Sequence, residues 1–259
     1  MTRVPQVPRV PQVLAAIVLA ASSASAQTLD AKIHAAAVPN AITWVGYKLP
    51  KVPGDHTMCD GERWRSTRVI LEGPREIEVL ARVENGTVTR LRTVTPDCEI
   101  DATGAVLVWL TGVTPAESVA YLSGLVEVAS SARDRVADSA LSALAMQAGD
   151  SAADALVRFA KTHANTHVRG QALFWLAQRA TAVALPTIAN AVDNDPDTDV
   201  KKRAVFALSQ LPKDEGVPKL IEVARTHRNP EVRKQAFFWL GQTKDPRAIQ
   251  FFEEILLKK

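Results

Sequence analysis

The chain has 259 residues, of which 47% are hydrophobic and 23% are charged, and its formal net charge is +3. This is the composition of an ordinary globular chain, and it excludes a disordered or collagen-like protein. The near balance of acids and bases gives no general attraction to nucleic acid or to acidic membranes. Having only two cysteines excludes a disulfide-dense miniprotein and a four-cysteine zinc finger.

Residues 1–26 have the pattern of a secretory signal peptide. Arg3 and Arg9 give a positive start, and the apolar run at 13–21 is far shorter than the ~20 residues that span a bilayer. Small residues then offer a cleavage site before Gln27. We therefore predict export to the periplasm or the medium, both oxidising compartments, with an uncleaved membrane anchor as the alternative.

The next segment, 27–112, is predicted to form a small antiparallel β module. Apolar residues alternate with other residues along 77–83, and Asn85-Gly86 separates that stretch from a second strand at 87–94. Asn-Gly is a strong hairpin signal because both residues tolerate positive φ. The module is also predicted to contain one short helix and three more strands, at 29–33, 42–49, 67–71 and 105–110.

The third segment, 113–259, begins with a helix start signal. Thr114-Pro115-Ala116-Glu117 reads as a capping box with proline at the first helical position. It predicts a helix over 115–128 that leads into the remaining chain and covers its first repeat.

A repeat with a period of 32 residues fills the rest of the chain. Three columns keep their residue type in all four units: Val136, Val168, Val200 and Val232; Ala140, Ala172, Ala204 and Ala236; and Leu144, Leu176, Leu208 and Leu240. Spacings of i, i+4 and i+8 place the three columns on one stripe of an amphipathic helix. A second set of columns, beginning at Ala152, predicts a second helix in each unit. Neither helix can bury its stripe alone, so the units must stack.

Residues 133–259 resemble HEAT repeats, in particular the short type also found in phycobilisome lyases. The family's pattern matches Val232-Arg233, Ala236, Leu240 and the run Asp245-Pro246-Arg247-Ala248-Ile249. The first unit departs from that pattern because Ala137, not a base, follows its valine. The resemblance implies an α-solenoid, so the predicted fold class is α+β: a small antiparallel β module followed by about four HEAT-like helix pairs.

A column of basic residues follows the valine column in three of the units, at Arg169, Lys201 and Arg233. In the family, this base packs along the stack beside acids of the preceding loop. We therefore interpret the column as a structural ladder and not as a binding site.

Cys59 and Cys98 both lie in the β module, 39 positions apart. In an exported chain the default for such a pair is a disulfide, which we predict. The alternatives are a metal site formed with His56, since imidazole and thiolate suit zinc, and a catalytic thiol paired with the same histidine. We predict no metal and no cofactor.

The predicted binding surface lies on the second helix of each unit, which usually lines the concave side of such stacks. Seven outward-facing positions form this candidate face: Arg158, Lys161, Asn190, Asp193, Glu222, Arg225 and Glu254. Their mixed charge favours a polypeptide partner over an all-phosphate or all-acidic ligand.

An aromatic column on the first helices is the other candidate surface. Trp175 and Trp239 lie two repeats apart beside Phe174 and Phe238. Aligned aromatics in stacked helices are typical of packing, and a stripe that grips a ligand is the alternative.

The predicted function is that of a non-catalytic, exported scaffold or binding module of the cell envelope. Its partner is an unidentified protein or peptide and not nucleic acid, because repeat stacks offer extended binding surfaces and no catalytic motif is present in the sequence. One alternative is an enzyme or enzyme accessory of the lyase-like HEAT type. The other is an envelope sensor that uses Cys59 and Cys98 as a redox or metal switch.

Overall fold

The computed structural model describes residues 27–54, 59, 73–129, 131, 133–179 and 181–257. The N-terminal part contains one helix and four strands: α1 Leu29–Ala36, β1 Thr43–Pro50, β2 Glu76–Glu84, β3 Thr87–Val94 and β4 Val106–Trp109. The C-terminal part is helical: α2 Pro115–Glu127, α3 Arg135–Met146, α4 Asp150–Thr162, α5 Thr166–Arg179, α6 Ala184–Asn194, α7 Thr198–Gln210, α8 Lys213–Thr226, α9 Pro230–Gln242 and α10 Pro246–Leu257.

The four strands form one mixed sheet in the order β3-β2-β1-β4. The predicted hairpin is present: Asn85 and Gly86 have φ angles of 49° and 71°, and β2 and β3 pair antiparallel around them. The wholly antiparallel arrangement is wrong, because the chain crosses from β3 to the far edge of the sheet and β4 then runs parallel to β1. The strand predicted at 67–71 lies outside the described residues.

One continuous hydrophobic core joins the sheet to the helices. Val45, Tyr47 and Leu49 of β1 are buried together with residues of α1, α2 and α3. Tyr47 also forms a buried hydroxyl–hydroxyl hydrogen bond of 3.1 Å with Ser118 of α2. The β module therefore shares its core with the first helices of the stack.

The start of α2 has the predicted capping box. Thr114 Oγ1 accepts a hydrogen bond from the Glu117 backbone N–H, and Glu117 Oε2 accepts one from the Thr114 backbone N–H. Lys32 Nζ on α1 donates to Glu117 Oε1 at 2.5 Å. The hydrogen bond from Lys32, followed by those from Thr114, lowers the pKa of Glu117 to about 2. Glu117 thus caps one helix and ties it to another.

The remaining helices form the four predicted pairs, α3–α4, α5–α6, α7–α8 and α9–α10. All members of the alanine and leucine columns on the first helices are fully buried. The valine column is buried in the last three units, whereas Val136 of the first unit is half-buried. The 32-residue repeat thus corresponds to one helix pair, as predicted.

The two layers of the stack differ in their spacing. Successive first helices, α3, α5, α7 and α9, approach one another much more closely than successive second helices do. Helix α2 packs on α3 and α4 and so begins the layer of the second helices. We call the closely spaced layer of first helices the inner layer, and the widely spaced layer of α2 and the second helices the outer layer. That the second helices line the concave side of the stack stays a prediction.

Small residues make the close spacing possible. At Gly170, an added Cβ would lie only 2.3 Å from Cδ of Arg203 on the next inner helix. The fully buried alanine column likewise leaves little side-chain volume between the inner helices. Within the described residues, no helix combines the length and apolar character needed to cross a bilayer.

The capping carboxylate generates a testable prediction about pH. The lowered pKa of Glu117 means that its charge stabilises the folded chain above its ordinary pKa of about 4.3, and that this stabilisation is lost as the pH falls toward about 2. Glu117→Gln keeps a residue suited to the capping box but removes the charge.

We expect the free energy of unfolding of Glu117→Gln to fall less steeply between pH 4.5 and pH 2 than that of the wild type. Denaturant unfolding at a series of pH values measures both curves. Parallel curves would show that the Lys32–Glu117 contact does not contribute.

Candidate functional site

The seven residues of the sequence-predicted face lie on the outer layer. Three ion pairs at the surface link neighbouring outer helices: Arg158 with Glu127, Asp193 with the half-buried Lys219, and Arg225 with Glu254. Exposed pairs of this kind contribute about 0–1 kcal/mol each. These side chains therefore largely neutralise one another along the stack.

The other members of that face are also exposed. Glu222 accepts a hydrogen bond from Lys219 Nζ at 2.7 Å, Asn190 accepts one from Asn194 at 2.8 Å, and Lys161 lies on the exposed side of α4. The structure thus brings the seven residues onto one layer, that of the more widely spaced helices. A binding role for them stays a prediction.

The basic column has the structural role that the sequence predicts. Each base donates to main-chain carbonyls at or just beyond the end of the preceding outer helix: Arg169 to His163 and Ala164, Lys201 to Asp193, and Arg233 to His227 and Arg228. Arg169 also makes two hydrogen bonds with Asp195, of 2.9 and 3.0 Å. Both side chains of this pair are buried, with 9% and 5% of their surface exposed.

The structure joins Cys59 and Cys98 in a disulfide, with an S–S distance of 2.09 Å. It connects the segment between β1 and β2 to the turn that follows β3. His56, which the alternative metal site needs, lies outside the described residues. In the ranges that the structure describes, no three His, Cys, Asp or Glu side chains lie close enough together to hold a metal ion.

The inner layer carries a continuous aromatic stripe, which we define as Phe174, Trp175, Phe206, Phe238 and Trp239. Phe174 on α5 stacks on Phe206 of α7 with ring centroids 5.8 Å apart, and Phe206 lies 4.8 Å from Trp239 of α9. The outermost ring, that of Phe238, is 53% exposed. The stripe thus crosses three consecutive inner helices and reaches the solvent.

Sequence reasoning identified four of these rings and missed Phe206, which joins the two ends. The signal was present, because Phe206 lies one repeat after Phe174 and one repeat before Phe238. The phenylalanine column is therefore complete in these three units. Only the tryptophan column is interrupted, because Ala207 occupies the repeat position of Trp175 and Trp239.

Two polar columns flank the stripe, and sequence reasoning missed both. Four residues after each phenylalanine stands an exposed glutamine, at Gln178, Gln210 and Gln242. Three residues before each phenylalanine stands a half-buried polar residue, at Gln171, Arg203 and Gln235. Because residues at i−3, i and i+4 share one face of a helix, the three columns run side by side along the inner layer.

A polar network crosses the inner layer and includes Arg203 of the half-buried column. Arg203 can only donate, so its contact of 3.5 Å with His167 Nδ1 makes that nitrogen an acceptor. His167 Nε2 then carries the proton and donates to Asp138 Oδ1 at 2.9 Å. The network links α3, α5 and α7, and both ring nitrogens of His167 have a partner in it.

These features agree with what a family comparison finds. The model of the family described as HEAT repeats matches residues 122–209 and 185–259, together more than half of the chain. The chain therefore belongs to the HEAT-repeat family. The first match begins within α2, which fits its place in the outer layer.

Several solved structures are similar to part of this chain at low identity. Human deoxyhypusine hydroxylase, solved in complex with glycerol, is 20% identical, with a TM-score of 0.38, over 52% of this chain and 43% of the hydroxylase. The complex of CpcE and CpcF of phycocyanin lyase from Nostoc is 20% identical, with a TM-score of 0.42, over 54% of this chain and 91% of the matched chain.

A third structure, that of the Escherichia coli protein YibA, is 22% identical, with a TM-score of 0.37, over 56% of this chain and 55% of YibA. The present chain thus spans less than half of the hydroxylase and just over half of YibA. A search of curated proteins finds no match at a significant level.

The buried pair Arg169–Asp195 generates a stability prediction. Asp195→Asn keeps the size of the side chain but leaves the Arg169 charge buried without its partner. Breaking a buried pair in this way costs about 3–5 kcal/mol. We expect a loss of that size in the free energy of unfolding, measured by denaturant titration.

The matched control is Asp193→Asn, two residues earlier, where the carboxylate is exposed. Its expected loss is below about 1 kcal/mol. If both variants lost the same free energy of unfolding, the buried Arg169–Asp195 ion pair would not have the stabilising role assigned to it.

Proposed function

We propose that this HEAT-repeat protein is a non-catalytic interaction module that acts in the cell envelope. In this proposal, the inner layer of the solenoid binds a polypeptide partner. The observation that carries the proposal is the aromatic stripe, which is continuous over three helices and is only partly covered.

The stripe has the composition of a protein-binding surface. Interfaces are enriched in aromatic side chains, and a few aromatic residues often supply most of the binding energy. Phe174 and Phe206 face each other with an interplanar angle of 4°, so they occupy each other's faces. Both side chains are half-buried, and their mutual stacking favours contacts with partner side chains over stacking of a flat ligand between the rings.

The exposed glutamine column supplies the hydrogen-bonding groups of such a surface. A glutamine side chain carries both a donor and an acceptor, as the main chain of a polypeptide does. Gln178, Gln210 and Gln242 repeat at the same interval as the phenylalanines. A polypeptide lying along the stack would therefore meet apolar contacts and main-chain hydrogen-bond partners in each unit.

The chemistry of this face supports binding and not catalysis. Aromatic and amide groups do not transfer protons at neutral pH. His167, the histidine closest to the stripe in sequence, has both ring nitrogens engaged, one by Asp138 and one by Arg203.

Location in the envelope rests on two features. Residues 1–26 have the charge, length and small-residue pattern of a signal peptide. The Cys59–Cys98 disulfide suits an oxidising compartment.

The export part of the proposal predicts that the mature chain begins at Gln27. N-terminal sequencing of the protein purified from its native cells, after fractionation, measures this directly. An intact 1–26 segment, or recovery of the protein with reduced cysteines from the cytoplasm, would reject export.

The binding part predicts where a partner touches the chain. A photo-crosslinking amino acid in place of Phe238 should capture one reproducible polypeptide in intact cells. The same amino acid in place of Arg158, on the outer layer, is the matched control and should not capture that polypeptide. Capture of the polypeptide from both positions, or only from position 158, would contradict the proposal that the partner binds at the aromatic stripe.

Removal of aromatic area gives a second readout for the same prediction. Phe238→Ala changes a ring that is half exposed, so the loss of stability should be small. The affinity for the captured partner should fall by about 30-fold or more, the effect of removing an interface hot spot. Arg158→Glu combined with Lys161→Glu should leave that affinity unchanged.

A further inference from the structure

A cleft opens at one end of the inner layer, between the third and fourth units. Its volume is about 380 Å³, and it lies between the ends of α7 and α9 and the start of α8. Leu208, Leu211, Val217 and Leu220 provide apolar walls, and Trp239 of the stripe closes one side. Gln210 and Gln242 of the exposed amide column stand beside it, so the cleft is continuous with the proposed binding surface.

The corresponding position between the first and second units lies two repeats, or 64 residues, closer to the N-terminus. We call the cleft the second copy and this position the first copy. There Arg179, the last residue of α5, reaches the end of α3. Its guanidinium donates four hydrogen bonds to main-chain carbonyls: to Leu144 and Ala145 at 3.0 Å, to Gln147 at 2.6 Å, and to Gly149 at 3.0 Å. In the first copy, the side chain of Arg179 thus binds the main-chain carbonyls at the end of α3.

The second copy has main-chain carbonyls at the corresponding positions but lacks the arginine. Thr243 stands where the repeat has Arg179, and the matching carbonyls belong to Leu208, Ser209, Leu211 and Lys213. Within the described residues, no hydrogen bond reaches the carbonyl oxygens of Ser209 and Leu211. The short threonine side chain therefore leaves open both the cleft and part of its acceptor set.

We infer that this cleft binds an arginine side chain of the polypeptide partner, in the place that Arg179 takes in the first copy. The aliphatic stem would lie along the apolar walls, and the guanidinium would donate to the carbonyls at the end of α7. The inference rests on the proposed function, because it names a residue that a partner on the inner layer presents.

The charges around the cleft permit a cation. Lys213 and Lys244 stand at its rim, with exposed side chains that are free to extend into water. Arg247 already places one guanidinium here, since its Nη2 donates to the Lys213 carbonyl at 2.8 Å. Asp245 binds that same guanidinium, so it balances one of the local positive charges.

The indole of Trp239 offers a local probe. Its N–H is buried and has no hydrogen-bond acceptor among the described residues. Because Trp239 lines the cleft, an occupant should shift its indole resonance in a ¹⁵N–¹H NMR spectrum. Trp239→Phe assigns that resonance among those of the other tryptophans.

The first experiment titrates the full mature chain, labelled with ¹⁵N, with the blocked tripeptide acetyl-Leu-Arg-Leu-amide. We expect a saturable shift of the Trp239 indole resonance. The citrulline counterpart keeps the shape but loses the charge, and the loss of charge-assisted hydrogen bonds should weaken its binding by about tenfold or more. No shift, or equal affinity for the citrulline peptide, would overturn the inference.

The second experiment introduces an arginine at position 243, which corresponds to Arg179 in the repeat. Thr243→Arg should place a guanidinium in the cradle, as Arg179 does, and so raise the thermal midpoint above that of Thr243→Lys, which cannot make the forked contact. Thr243→Arg should also abolish the shift caused by the arginine peptide. A Thr243→Arg chain that still binds the peptide, or one no more stable than Thr243→Lys, would overturn the inference.

The two levels of the proposal can fail separately. Crosslinking from Phe238 tests the stripe without any change to the cleft. Crosslinks at Phe238 without binding of the arginine peptide would leave the proposed function standing and remove this inference. Binding of the arginine peptide without crosslinks at Phe238 would show that the cleft accepts an arginine side chain, and would remove the aromatic stripe as the binding surface of the partner.

Discussion

The close approach of the inner helices is the constraint on which the rest of the structure depends. Each inner helix presents alanine at the column of Ala140, Ala172, Ala204 and Ala236, where every side chain is fully buried. Larger residues there would push the helices apart, because interiors are packed too densely to absorb extra volume. Gly170 meets the same demand beside Arg203. The close spacing of the inner layer follows from these small residues.

The aromatic stripe is a consequence of that spacing. Phe174 and Phe206 belong to different helices, and their rings stack only because α5 and α7 lie close together. The same approach brings His167 within reach of both Asp138 and Arg203. On the outer layer the helices are farther apart, and long side chains such as Arg158 bridge them through exposed ion pairs. The inner layer therefore offers a continuous surface of rings and amides, whereas the outer layer offers a row of paired charges.

The β module covers the apolar end of the helical stack at its first unit. A stack of helix pairs leaves an apolar face at its end, which must be covered. Here α1, α2 and the sheet cover it, through the Lys32–Glu117 contact, the Tyr47–Ser118 hydrogen bond and a shared core. At the other end of the described chain, Leu256 and Leu257 of α10 remain exposed.

The sequence by itself determined the local structure and the repeat. Helix pairs, the Asn85-Gly86 hairpin and the capping box at Thr114 each depend on residues close together in the chain, so their signals are complete within a short window. The disulfide was predictable because Cys59 and Cys98 are the only cysteines. Only the tertiary structure decided that β4 runs parallel to β1, that the first helices form the inner layer, and that Thr243 leaves open a cradle which Arg179 fills one pair of repeats earlier. Those features depend on distances between helices and strands far apart in sequence, and such distances are set by how side chains of different units pack against each other.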